Sequence, residues 1–223
     1  MKVILYGVTG MVGQLALQAC LKDVQVERVT AVVRKPTQNH HSKYEEIVRT
    51  DISDLAGLED RLTGYDVCLY LIGVSGSGMS EQEYRRITYD MTIRVAEQLI
   101  VWNPAMKMIY ISGMGADSTE TSKEMWARVE GKTENKLLSM PFGAAYMLRP
   151  AAILPVHGVR SQTKQYRLIY TLVKPINPLL KRLNAVITSE QLGQVMVHLA
   201  KTGSTKEVLE KEQLKKIALT LQN

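Results

Sequence analysis

Three glycines constrain how this chain can begin to fold. In MKVILYGVTGMVGQLALQAC the run KVILY has the β-branched and aromatic residues of a strand, and residues 11–22 carry an apolar helical pattern. Gly7, Gly10 and Gly13 lie between them. Gly10 and its neighbours can take backbone angles closed to other residues. Bare amides there can approach a pyrophosphate, and a helix that starts at the turn aims its unpaired N–H groups and positive dipole end at it. Gly13 lets the helix lie close on the sheet. The spacing G-x-x-G-x-x-G, directly after a strand and before a helix, points to Gly7, Thr9, Gly10, Met11, Val12 and Gly13 as a dinucleotide-binding turn. An ordinary tight turn is the alternative.

The rest of the chain repeats the alternation. VERVTAVVR reads as a strand, EEIVRTD as a short strand and DLAGLEDRL as a short helix. DVCLYLIG is an almost unbroken apolar run, as in a central parallel strand covered on both faces. Residues 80–102 read as one long amphipathic helix, KMIYISG as a strand, 122–139 as a helix, and AAYMLRPAAI as a sixth strand running into Pro150. This predicts an α/β fold, a Rossmann-type doubly wound parallel sheet. Residues 1–150 form the NAD(P)-binding core. Residues 151–223 form a small substrate-facing or lid portion integrated into the same domain. In that tail, 151–184 carry Pro155, Pro175 and Pro178 among basic and aromatic residues. A helix starts at Thr188 or Ser189 and stops at Gly203, a short strand lies near KEVLE, and a last helix starts near Gln213.

Composition narrows the classes. Of 223 residues, 45% are apolar and 22% charged, enough for a full core. Cys20 and Cys68 are the only cysteines, and both fall in buried elements, so they read as reduced cytoplasmic thiols rather than a disulfide. No stretch reaches the ~18 apolar residues of a membrane span. The formal charge of +6 suits phosphates on a small molecule or a mildly basic surface. The basic residues Lys164, Arg167, Lys174, Lys181 and Arg182 lack any nucleic-acid reading motif, so nucleic acid is not expected as a partner. His40 and His41 share a polar loop with no further ligand at zinc spacing, so no metal is assigned.

The second strand refines the coenzyme. An NAD site normally ends this strand with an acidic residue that binds the ribose hydroxyls. Here it ends VVRKP, and the cations of Arg34 and Lys35 suit a 2′-phosphate, favouring NADP(H) over NAD(H). A solvated basic loop is the other reading. Asp51, with Ile52 after it, follows the third strand, where a carboxylate can accept from the adenine amino group. Leu71, Ile72 and Gly73 end the fourth strand, beside the adenosine ribose and the nicotinamide half.

The segments GVTGMVG, VVRK, TDISDL, YLIG, YISGMGAD and LRPAAILP, in that order, resemble the atypical short-chain dehydrogenase/reductase superfamily, in particular its NAD(P)-binding NmrA-like and Tat-interacting-protein-like members. The resemblance covers most of the chain and is most specific over residues 1–150. It implies a Rossmann fold and, in active members, hydride transfer between nicotinamide and a carbonyl or alcohol. Epimerase-like chemistry and non-catalytic coenzyme sensing also occur under this fold, and a homodimer built on the long helices is open. Active members end the fifth strand with Ser or Thr and carry Tyr-x-x-x-Lys on the next helix. The Tyr is the acid/base, and the Lys lowers its pKa. Ser112 matches the first element, but Trp126 falls at the Tyr and Glu130 at the Lys. Indole only donates a hydrogen bond, and a carboxylate raises a neighbouring phenol's pKa. Glu130 could also be a surface carboxylate. Lys132 lies about 200° round the helix from Glu130 and is expected in solvent. Tyr84, Tyr89, Tyr146, Tyr166, Tyr170 and His157 are other conceivable donors, each more easily read as structural. Ser75 and Ser77 belong to a glycine-rich rim, and Ser80 with Glu83 has capping-box spacing.

Overall fold

The computed structural model describes residues 1–156 and 186–222. His157, Tyr166, Tyr170 and the basic residues from Lys164 to Arg182 lie outside them. The elements in chain order are β1 (Lys2–Tyr6), α1 (Met11–Lys22), β2 (Arg28–Val33), β3 (Tyr44–Val48), the single turn α2 (Glu59–Leu62), β4 (Val67–Tyr70) and α3 (Glu81–Arg85). A π-helical turn (Arg86–Asp90) leads into α4 (Met91–Trp102), β5 (Lys107–Ile111), α5 (Met125–Ser139), β6 (Ala144–Arg149) and β7 (Ala152–Leu154). From residue 186 onward come β8 (Val186–Thr188), α6 (Ser189–Thr202), β9 (Val208–Glu210) and α7 (Lys211–Thr220).

Seven strands form one sheet in the order β3-β2-β1-β4-β5-β6-β9, with every neighbouring pair parallel. The unbroken apolar strands follow from this, because helices cover both faces. One face buries Val3, Leu5, Val29, Ala31, Leu69, Ile109 and Leu148 together with Leu17, Cys20, Leu192 and Met196 of α1 and α6. Alternate residues of the same strands, Ile4, Tyr6, Val32, Cys68, Tyr70, Met108, Tyr110 and Met147, pack with Leu62, Val95, Leu99 and Leu137 on the other. At this scale burial contributes ~1.5–3 kcal/mol per large side chain. α6 crosses α1 so closely that a Cβ on Gly193 would stand 2.8 Å from the Leu15 carbonyl oxygen.

Tyr6, Tyr70 and Tyr110 stand in register on three adjacent strands. Their ring centroids are 5.2 Å apart for Tyr6–Tyr70 and 6.1 Å for Tyr70–Tyr110. Cys20 and Cys68 are buried and unpaired. Burial pushes the Cys20 thiol up to about 12 and raises Cys68 as well. Both thiols stay protonated and unreactive.

Three expected boundaries change. The helix expected over 80–102 is interrupted by the π-helical turn at Arg86–Asp90, a one-residue widening of the helical ladder across which Tyr84, Thr88, Thr92 and Ala96 all stay buried. The sixth strand stops at Arg149, because Pro150 has no N–H to give the ladder. β7 then pairs with β8 in a separate two-stranded parallel sheet. In DLAGLEDRL only Glu59–Leu62 is helical. The capping box signalled at Ser80 with Glu83 is present, and the helix start expected at Thr188 or Ser189 is a second capping box, Thr188 with Gln191, whose Gln escapes the sequence reading. α6 ends at Gly203, whose φ is +71°. Among the described residues no helix is long and apolar enough to cross a membrane.

Candidate functional site

The strand order reverses at β1, whose neighbours are β2 and β4, and ligands of open parallel sheets lie at the carboxyl ends of such a switch point. There the glycines make room for one another. Gly7 is the residue in the left-handed region, at φ +82°. A Cβ on it would sit 2.6 Å from the Leu71 carbonyl oxygen at the end of β4. Gly10, expected to need unusual angles, is instead an extended N-cap at φ −74°, ψ 164°. Its N–H closes the turn on the Gly7 carbonyl at 2.9 Å. Gly13 is the tightest point, since its Cβ would lie 2.0 Å from that same oxygen. It packs the helix onto its own entry turn rather than only onto the sheet. The first turn of α1, Met11–Val12–Gly13, contains no acidic residue and no side-chain cap. Its N–H groups have no intrahelical acceptor, and the positive end of a helix favours an anion there; the Gln14 side chain pins the loop by donating to the Thr9 carbonyl at 3.0 Å.

Arg34 and Lys35 follow β2 as exposed side chains, and neither makes an ion pair among the described residues. Asp51 is more occupied than its expected role suggests. Its Oδ1 accepts from the Ser53 N–H at 2.9 Å and the Ser53 hydroxyl at 2.7 Å, and its Oδ2 faces Arg94 at 3.3 Å. These contacts, the Ser53 hydroxyl first, hold its carboxyl below the usual range. A carboxylate has about four acceptor positions, so one is left for a further donor. Ile52 is buried, Leu71 and Ile72 are half-buried, and Gly73 is exposed.

The far end is built from α5. Trp126, Glu130 and Glu134 are spaced four apart and share one stripe. The half-buried Trp126 is wedged between the loops that follow β4 and β5. A Cβ on Gly76 would meet the Trp126 Cβ at 3.3 Å, and one on Gly115 would meet its ring at 3.1 Å. Glu130 is not at the surface. It is 9% exposed, and each of its oxygens accepts a phenol: Tyr84 on Oε1 at 2.8 Å and Tyr110 on Oε2 at 2.6 Å. Burial pushes its pKa up to about 7 against the two hydrogen bonds, with Glu134 adding to the rise. The Tyr110 phenol is raised too, by burial and then by Glu130.

Glu134, fully buried, is paired with Arg149 from β6. The Arg149 Nε lies 3.0 Å and 3.1 Å from its two oxygens, and Nη2 bonds to Oε2. Arg149 also reaches Glu210 at 3.0 Å and the Ser118 hydroxyl at 2.7 Å. Ser112, the match to the family's strand-end Ser, donates its hydroxyl to Glu134. That proton is unavailable to a substrate carbonyl in this arrangement. Lys132 lies on the other side of α5, as its angle requires, but not in open solvent. Its Nζ sits 5.6 Å from the Tyr89 ring centroid, and the Arg85 guanidinium lies 5.4 Å from the same centroid. Tyr146 accepts from the Ser204 N–H and is structural. His40 and His41 are exposed, and the described residues contain no group of three or more metal-ligating side chains.

Glu134, Arg149, Tyr110 and Gly131 escaped the sequence reading. A Cβ on Gly131 would stand 1.8 Å from the Asp117 carbonyl oxygen, so it seats the loop after β5 on α5. The available signal was an arginine ending an apolar strand, which demands a buried counter-charge, and a second carboxylate one turn past Glu130.

Residues 7–140 match the family model described as NAD(P)H-binding. The chain belongs to this family. That agrees with the atypical short-chain dehydrogenase/reductase superfamily its motifs resemble. Its fold is that of NAD(P)-binding solved structures. One is Bordetella bronchiseptica WbmF in complex with NAD+ (TM-score 0.68, 15% identity, 99% of this chain and 77% of that one). Another is Candida albicans Gre2 in complex with NADPH (0.68, 14%, 94% and 78%). Among curated relatives, protein FMP52, mitochondrial, of Candida albicans is 22% identical over 95% of this chain and 93% of its own length. The leucinostatins biosynthesis cluster protein T of Purpureocillium lilacinum is 28% identical over 63% of this chain, which spans 52% of that protein.

Proposed function

We propose that this member of the NAD(P)H-binding family takes NADP(H) in preference to NAD(H) and works as a coenzyme-responsive binding protein rather than a standard short-chain reductase. The coenzyme would supply hydride chemistry at its nicotinamide. Met11–Gly13 and the glycine turn would hold its diphosphate, and Arg34 and Lys35 its 2′-phosphate. The observation that carries the binding-protein reading is the engagement of all three catalytic positions. Ser112 donates to Glu134, Trp126 is wedged between Gly76 and Gly115, and Glu130 is closed between two phenols.

One observation favours a second reading, an oxidoreductase or epimerase acting on a carbonyl or alcohol. The Tyr84 phenol is hydrogen-bonded to a carboxyl that titrates near neutrality, a composition suited to acid/base work.

Calorimetric titration with NADPH and NADH, followed by coenzyme oxidation over a panel of carbonyls, tests both. Expected are tighter NADPH binding, about tenfold loss of NADPH affinity in Arg34→Ala with NADH within about twofold, and no turnover in wild type. Equal loss of both coenzymes would remove the NADP assignment. Turnover that vanishes in Tyr84→Phe would establish the second reading.

A further inference from the structure

Arg34 and Lys35 are long and exposed, and among the described residues neither makes an ion pair. Such side chains lose considerable rotamer freedom when they grip a phosphate, so their selectivity depends on how firmly the backbone beneath them is held. Three residues past Arg34 the chain is tied to the neighbouring edge strand at a single carboxylate. The Thr37 N–H donates to Glu46 Oε2 at 2.9 Å, and the Thr37 hydroxyl donates to Oε1. The Tyr44 hydroxyl donates to that same Oε1 at 2.6 Å. Asn39 closes the turn from beyond, its side-chain and backbone N–H groups reaching the Thr37 oxygen at 3.0 Å and 3.3 Å. Pro36, with its ring-fixed φ, stiffens the link between cations and anchor.

Glu46 lies on β3, opposite Ala31 in the parallel register with β2. A bare carboxylate beside a phosphate site would oppose the ligand. This one is covered by three donors, which hold it ionised against the upward push of its partial burial.

We infer that Glu46, acting through Thr37, is the positioning residue that presents Arg34 and Lys35 to the coenzyme's 2′-phosphate and so sets NADPH-over-NADH selectivity. The inference rests on the NADP(H) reading above. Two physical accounts of Glu46 predict opposite signs. If it acts only as a nearby negative charge, neutralising it strengthens NADPH binding. If it braces the turn, neutralising it weakens NADPH binding and leaves NADH, which has no 2′-phosphate, alone.

The test is the ratio of NADPH to NADH dissociation constants in wild type, Glu46→Gln, Thr37→Val and Thr37→Ser, with melting temperatures for each. Thr37→Val removes the hydroxyl without changing charge or shape, and Thr37→Ser keeps both donors. Expected is about a fivefold loss of NADPH affinity in Glu46→Gln and Thr37→Val, part of the worth of one charge-assisted hydrogen bond. NADH should stay within about twofold, Thr37→Ser should match wild type, and the double variant should be no worse than either single, since both break one link. Tighter NADPH binding in Glu46→Gln, an unchanged ratio in either single variant, or parallel loss of both coenzymes would overturn the inference. If wild type itself shows no NADPH preference and Arg34→Ala is equally flat, the coenzyme reading has failed and this inference falls with it. A wild-type preference that Arg34→Ala removes and Glu46→Gln leaves intact overturns the positioning role alone.

Discussion

Replacing Glu130 with Gln should stabilise this protein, by an amount that grows as pH rises from about 4.5 to about 7 and is constant above that. Glu130 is buried under two phenols, and its pKa rises from 4.5 to about 7, chiefly through burial. Between those values the folded chain keeps a proton on this carboxyl that the unfolded chain has released. The stability tied to that proton is complete below about pH 4.5 and is lost as pH rises through about 7. At ~1.4 kcal/mol for each tenfold change in proton affinity, the loss is about 3 kcal/mol. Gln is nearly isosteric with the protonated acid and never ionises. Its oxygen can accept from one phenol while its amide donates to the other, since a phenol hydroxyl serves either role. Wild type and Glu130→Gln should therefore melt together near pH 4.5 and separate on the alkaline side, with the variant higher by roughly 6–12 °C at pH 8.5. Melting both proteins by circular dichroism from pH 4.5 to 9 checks this, and the other carboxyls cancel in the difference. A gap that does not vary with pH, or a variant less stable than wild type at pH 8.5, would refute the burial argument.

Three more outcomes follow from close contacts and buried charges. Gly13→Ala places a methyl about 2.0 Å from the Gly7 carbonyl oxygen. It should cost at least ~2 kcal/mol in thermal denaturation and abolish coenzyme binding in the same preparation. Arg149→Met strands the fully buried Glu134 without its counter-charge and should cost about 3–5 kcal/mol by urea denaturation, most of it recovered in Arg149→Met with Glu134→Leu. Asp117 accepts from Thr119, Thr121 and Ser122, and those bonds, the Thr119 hydroxyl first, lower its pKa to about 2. Asp117→Asn should loosen the loop after β5, read as faster amide exchange at Thr121 and Ser122, with little change in global melting.

Much of this architecture is legible in the amino-acid order, because parallel strands covered on both faces must be apolar throughout and glycine is the one residue two crossing backbones admit. KVILY, DVCLYLIG and the three opening glycines needed no tertiary knowledge. Ser80 with Glu83, and the start signal at Thr188 or Ser189, announced their helices for an equally local reason. What stayed hidden depends on distant partners. Glu130 and Glu134 look solvated on α5, because the phenol of Tyr110 lies twenty residues back and the guanidinium of Arg149 fifteen ahead. The π-helical turn is hidden for another reason. No Pro or Gly in RITYD marks the extra residue, yet it accompanies the placement of the Tyr89 ring beside Arg85 and Lys132. Glu46 was invisible because nothing in EEIV tells which carboxylate faces Thr37.

The indole at position 126 has a practical use. The chain contains two tryptophans, and the other, Trp102, closes α4. In a Trp102→Phe background all tryptophan emission would come from the gap between the Gly76 and Gly115 loops. Reduced nicotinamide absorbs where indole emits, so a bound NADPH would draw that light off by resonance transfer while NADP+ would not. A coenzyme held there would thus have its redox state read optically, without any label.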